Sequence, residues 1–117
     1  MRRCARRFVG LLTGQFVSNH QFDKIRWQSL SIFEQMGNIA SEVGRAFSAQ
    51  RRGDAAAMNG ALCRGLDLLD ATAEKLAYEK SPRLREVLRA REVFAGMEDE
   101  TIEKYFMEFA FAARNIR

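Results

Sequence analysis

From Trp27 onward the apolar positions recur with a period of 3.6, the signature of helices that bury one face. Ile32, Met36, Ile39, Val43 and Phe47 lie along one stripe of a helix predicted over residues 29–52. Ser31 and Glu34 have capping-box spacing near its start. Arg51 and Arg52 suit the negative end of its dipole, and Gly53 supplies the stop. Asp54 then caps a helix over residues 55–78. That helix is expected to bury Met58, Leu62, Gly65, Leu69, Thr72 and Leu76, with Leu66 and Leu68 widening the stripe. Ser81 and Pro82 predict a third helix, with Ser as cap and Pro at the first helical position. Its stripe is Leu84, Val87, Leu88, Phe94 and Ala95, with Arg91 among them, and Gly96 ends it. After an acidic connector, a fourth helix over residues 100–115 aligns Ile102, Phe106, Phe109 and Ala113. The connectors are short, so sequential helices are expected to be antiparallel neighbours. No segment alternates as a strand would. The expected fold is all-α, an up-and-down antiparallel four-helix bundle.

Length and charge refine this picture. A chain of 117 residues suits one domain with one core. The bundle is assigned to residues 28–117, and residues 1–27 to a flexible basic N-terminal segment. The net charge of +4 conceals an asymmetry. Residues 1–27 carry a net +5 and residues 28–117 a net −1. The basic character therefore belongs to the N-terminal segment, which weakens the case for a nucleic-acid-binding body. No apolar run approaches the roughly 20 residues of a membrane helix. The apolar run from Phe8 to Leu12 is too short for a secretory core, and Gly10 interrupts it. The start therefore reads as a tail, or as an extension from an early start codon. Cys4 and Cys63 form neither a disulfide framework nor a zinc motif, so a reduced, cytoplasmic setting is expected.

Few side chains invite a chemical role. Gly37 and Gly44 flank the apolar stripe of the first long helix, with Ala40 between them. Each interior glycine costs about 1 kcal/mol of helix propensity, so close approach of another helix is expected there. Met107 and Phe111, four apart, fall opposite the stripe of the last helix among Glu103, Lys104 and Glu108. Two large apolar residues on a polar face predict an oligomer interface, against the plainer account of scattered surface residues. Arg91, within an apolar stripe, predicts a structural ion pair or a side chain that snorkels to water. Arg85 and Arg89, an i, i+4 pair near Lys80 and Arg83, are the one basic cluster of the body that could meet phosphates. Glu86 and Glu92 interrupt it, which favours a solvated face.

His20 has no cysteine or carboxylate at ligand spacing and defines no metal site. Cys63 lies near Asp67, Asp70 and Glu74, whose charges disfavour a thiolate nucleophile. No catalytic residue, metal or cofactor is therefore assigned, and the chain is not expected to be an enzyme.

The segment Asn38-Ile39-Ala40-Ser41-Glu42-Val43-Gly44-Arg45 resembles one found in small bacterial four-helix proteins encoded in intervening sequences of 23S ribosomal RNA genes. Gly60-Ala61-Leu62 and Gly65-Leu66-Asp67-Leu68-Leu69-Asp70 resemble the long helix that follows it there. Phe22-Asp23-Lys24-Ile25-Arg26-Trp27 resembles the start of the family's first helix, one residue short. The resemblance implies an up-and-down bundle and a ring of five protomers, and brings no catalytic residues. Related accessory proteins bind nucleic acid through a basic ring surface, which makes nucleic acid the alternative partner. The expected function is thus a self-assembling, non-enzymatic bundle, a homo-oligomer with no membrane partner. Deleting residues 1–21 is expected to leave a folded, soluble protein; loss of cooperative melting or helical circular dichroism on truncation would contradict the domain assignment.

Overall fold

Residues 23–115 are described by a computed structural model. The N-terminal segment as far as Phe22, with Cys4 and His20, lies outside the described residues, as do the side chains of Ala113 and Asn115. Among the described residues five helices follow one another: α1 (Lys24–Gln28), α2 (Ile32–Arg51), α3 (Ala55–Tyr78), α4 (Leu84–Gly96) and α5 (Thr101–Asn115). Among the described residues the only regular secondary structure is helical, and no strand occurs.

Local chemistry sets most of the boundaries. The capping box opens α2: Ser31 Oγ accepts from the Glu34 N–H at 3.1 Å, and Glu34 Oε1 accepts from the Ser31 N–H at 2.9 Å. Gly53, at φ 76°, closes α2 in the left-handed region. There the Gly53 N–H reaches the Gln50 carbonyl and the Asp54 N–H reaches the Ala49 carbonyl, which satisfies two orphan acceptors. Asp54 then caps α3 by accepting from the Ala57 N–H at 3.0 Å. Asp99 Oδ1 takes the Thr101 hydroxyl and N–H at the start of α5, and these bonds hold its carboxyl below the usual range.

Two local expectations are corrected. Ser81 and Pro82 do not open α4. The Ser81 hydroxyl accepts from the Arg83 N–H and its carbonyl from the Leu84 N–H, a tight turn that delays the helix to Leu84. Gly96 ends α4 as expected, and Met97 behind it takes the left-handed position at φ 52°. Burial of the Met97 side chain holds it there, and its carbonyl accepts from Gln50 Nε2 at 2.9 Å. Leu88 is exposed, and Ala90 takes the inward position between Val87 and Phe94.

The helix α1 was not predicted. Trp27, placed by its sequence in the flexible segment, is buried. Its indole N–H donates to Thr72 Oγ1 at 3.1 Å, and the Thr72 hydroxyl donates to Gln35 Oε1 at 2.9 Å. Gln35 Nε2 returns to the Trp27 carbonyl at 2.8 Å, so three buried residues close a polar loop.

α2 packs against α3 on one side and α5 on the other, while α4 packs mainly on α3. Phe33 meets Phe109 at one end of α2, and Arg51 meets Glu100 and Glu103 at the other, so α2 and α5 run antiparallel. The core centres on Phe47, Phe94 and Phe106, all fully buried, with ring centroids 6.5 and 6.4 Å apart along the series. Among the described residues no helix is long and apolar enough to cross a membrane.

Two glycine substitutions separate propensity from packing. A Cβ at Gly65 would lie 2.8 Å from Phe94 Cε2, whereas one at Gly44 would come no nearer than 3.8 Å to Glu103 Oε2. Gly65→Ala is expected to destabilise by about 1–3 kcal/mol, because overpacking outweighs its propensity gain of about 1 kcal/mol. Gly44→Ala is expected to stabilise by up to about 1 kcal/mol. Urea denaturation of both variants checks the pair; two stabilised variants would show that the Gly65 contact yields freely.

Candidate functional site

Side chains of α2 and α3 build a surface groove of about 590 Å³ between the two helices. On α2 its lining runs Ser41, Gly44, Arg45, Ser48 and Arg52, and on α3 it includes Ala56, Gly60 and Arg64. These positions recur at three- and four-residue spacing, so each helix turns one polar, small-residue stripe toward the groove. Three arginines and no carboxylate line it.

Glu42 organises two of these arginines. Its Oε1 accepts from Arg64 Nε at 3.2 Å, and its Oε2 lies 3.2 Å from Arg45 Nη1. The Glu42 side chain is only 14% exposed, against 58% for Arg64 and 61% for Arg45. A largely buried carboxylate thus holds two solvent-facing guanidiniums, one on each oxygen. Arg64 Nη1 lies over Gly60, 3.3 Å from where a Cβ would stand. Farther along, Arg52 Nη1 donates to Ser48 Oγ at 3.1 Å, and Nη2 sits 3.7 Å from Asp54 Oδ2.

The residues singled out from sequence are not gathered at this groove, apart from Gly44. Gly37 serves an internal contact: its missing Cβ would stand 3.4 Å from Ala110 Cα of α5. Close helix approach therefore occurs at Gly37 within one chain. Met107 is 37% and Phe111 54% exposed on the outer side of α5, and Arg114 lies over the Phe111 ring at 5.0 Å. Arg85 and Arg89 are exposed on α4 and form no ion pair among the described residues. Arg91 forms the structural pair: its Nε donates to Asp70 Oδ1 at 2.6 Å, tying α4 to α3. Sequence reasoning did not identify the arginine groove, although its signal was present in the spacing of Ser41, Arg45, Ser48 and Arg52.

Cys63 is disulfide-bonded, which corrects the expected reduced thiol; Cys4 lies outside the described residues. Among the described residues, no three His, Cys, Asp or Glu side chains converge as a metal set. Tyr105 is a strongly perturbed ionisable group. Burial, and then the Glu86 carboxylate that accepts its hydroxyl at 2.7 Å, push its phenol far above the usual tyrosine range. The bond links α5 to α4 and uses an otherwise free acidic residue of the basic α4 face. Comparison of the chain with protein-family models, curated proteins and solved structures found no match.

The Tyr105 shift gives a pH dependence with a defined sign. Folding raises the value, so its stabilising contribution is present below the ordinary tyrosine range and is lost as pH rises through the folded value. Alkaline titration of tyrosinate absorbance should show a component appearing only well above that range. Tyr105→Phe should remove this late component. A late component that persists in Tyr105→Phe would place the perturbed phenol elsewhere.

Proposed function

We propose that the chain is a non-enzymatic protein that folds as an up-and-down antiparallel four-helix bundle of α2 to α5, with α1 docked on it. In this proposal the outer side of α5 joins protomers into a homo-oligomer. The observation that carries it is the exposure of Met107 and Phe111, one helical turn apart on a helix whose opposite side buries Ile102 and Phe106. Removing paired apolar side chains from water stabilises association by about 25 cal/mol per Å² of apolar area. The small size of the bundle offers no second core to cover that side. Five protomers in a ring is the stoichiometry suggested by the resemblance to the intervening-sequence proteins.

A nucleic-acid-binding assembly is the second reading. It draws on Arg85 and Arg89, which are exposed and make no ion pair among the described residues. A ring would repeat this small patch, and repeated weak phosphate contacts gain from effective concentration.

Met107→Glu combined with Phe111→Glu is expected to convert the assembly into smaller species in light scattering, with helical content retained. A wild-type chain that is monomeric at micromolar concentration would refute assembly.

A further inference from the structure

We propose that the groove between α2 and α3 binds a phosphoryl oxyanion, carried as a diphosphate on a small soluble ligand. Three guanidiniums surround the groove and no carboxylate lines it. Glu42 offsets part of the charge of Arg45 and Arg64, and Asp54 lies 3.7 Å from Arg52, which leaves three guanidiniums against two carboxylates and an excess of one positive charge. An oxyanion of high charge supplies what the lining lacks.

The guanidiniums are held in place before any ligand arrives. Each arginine carries five N–H donors, and Glu42 occupies only part of the sets on Arg45 and Arg64. The remaining donors form forks that match phosphoryl oxygens in two-point contacts. Arg52 is held by Ser48 Oγ, which accepts from Nη1, and by Asp54, 3.7 Å from Nη2. The Ser41 and Ser48 hydroxyls add donors along the α2 side.

Spacing favours two linked phosphoryl groups over one carboxylate. Arg45 and Arg52 are seven residues apart on α2, which is about 10 Å along the helix. A single carboxylate cannot engage forks at both ends, whereas a diphosphate presents oxygens toward each. The small residues keep the space open: at Gly60 any longer side chain would press on Arg64 Nη1. The volume, about 590 Å³, suits a ligand of nucleotide or sugar-phosphate size. This proposal does not depend on assembly through α5, because none of the groove residues lies on that helix.

The test is calorimetric titration of the full chain with inorganic pyrophosphate at fixed ionic strength. Saturable binding of one pyrophosphate per chain is expected. Arg45→Gln with Arg64→Gln should weaken it about tenfold or more. That double variant also strips Glu42 of its partners, so a second variant leaves every charge in place. Gly60→Leu should fill the groove and reduce binding to a similar degree, with melting confirming a folded protein. Arg85→Gln with Arg89→Gln should bind as wild type. Absence of saturable binding overturns the proposal. So does binding unchanged in Gly60→Leu, which assigns the effect to diffuse surface charge. Binding of a single-stranded oligonucleotide that pyrophosphate cannot displace would also overturn it, in favour of a nucleic-acid surface.

Discussion

The ring of Phe94 stands where residue 65 has no side chain, and the meeting of four helices depends on that fit. A Cβ at Gly65 would lie 2.8 Å from the ring, so α3 and α4 approach as closely as backbone and aromatic edge allow. From that seat Phe94 reaches Phe47 of α2 and Phe106 of α5, at 6.5 and 6.4 Å between centroids. Tilted and edge-on ring pairs at such distances add to the stabilisation from area burial alone. The glycine weakens α3 locally by about 1 kcal/mol. The dense contacts around three fully buried rings offset that loss. Gly37 repeats the device between α2 and α5, where it admits Ala110.

A second constraint is polar. A five-residue helix such as α1 has no stability by itself. Its place is fixed by the loop through Trp27, Thr72 and Gln35, which joins α1, α3 and α2 in a buried setting. Lys75 reinforces it from α3 by donating to the carbonyls of Gln28 and Leu30 at 2.7 and 3.2 Å. A cation at the last carbonyls of a helix meets the negative end of its dipole. Within a low-dielectric core, such satisfied polar groups specify one arrangement over its neighbours.

Charge is distributed around this scaffold rather than concentrated on it. Most ion pairs lie at exposed positions, where solvent screening leaves little net stabilisation. Glu42 differs because it is largely buried while both its arginines face water. It spends its charge on orientation, leaving donor-rich forks over a small-residue groove. On the other flank of α2, α5 carries large apolar side chains on its inner and outer sides. The two surfaces thus offer different chemistry from neighbouring parts of one bundle.

The amphipathic stripes of α2, α3 and α5, the Ser31–Glu34 box, the Gly53 stop and the Asp54 cap were legible in the sequence. Each is a local matter of period or of a side chain meeting backbone a few residues away. The start of α4 was misread because a Ser-Pro pair serves a tight turn as well as a helix cap. Met97 was missed because its left-handed backbone is favoured by burial, which no dipeptide reveals. Trp27 stood at the very start of the periodic pattern, at the end of the segment read as flexible, and the partner of its indole, Thr72, is distant in the chain. The arginine groove needed α2 and α3 to lie side by side before Glu42 could orient a residue from each. The sequence by itself therefore determined which segments are helical and which stripe of each is apolar, since these follow from short-range spacing. Tertiary structure alone decided which glycine receives a ring, which polar groups close a buried loop and which arginines share a groove, because those contacts join residues that the chain separates by whole helices.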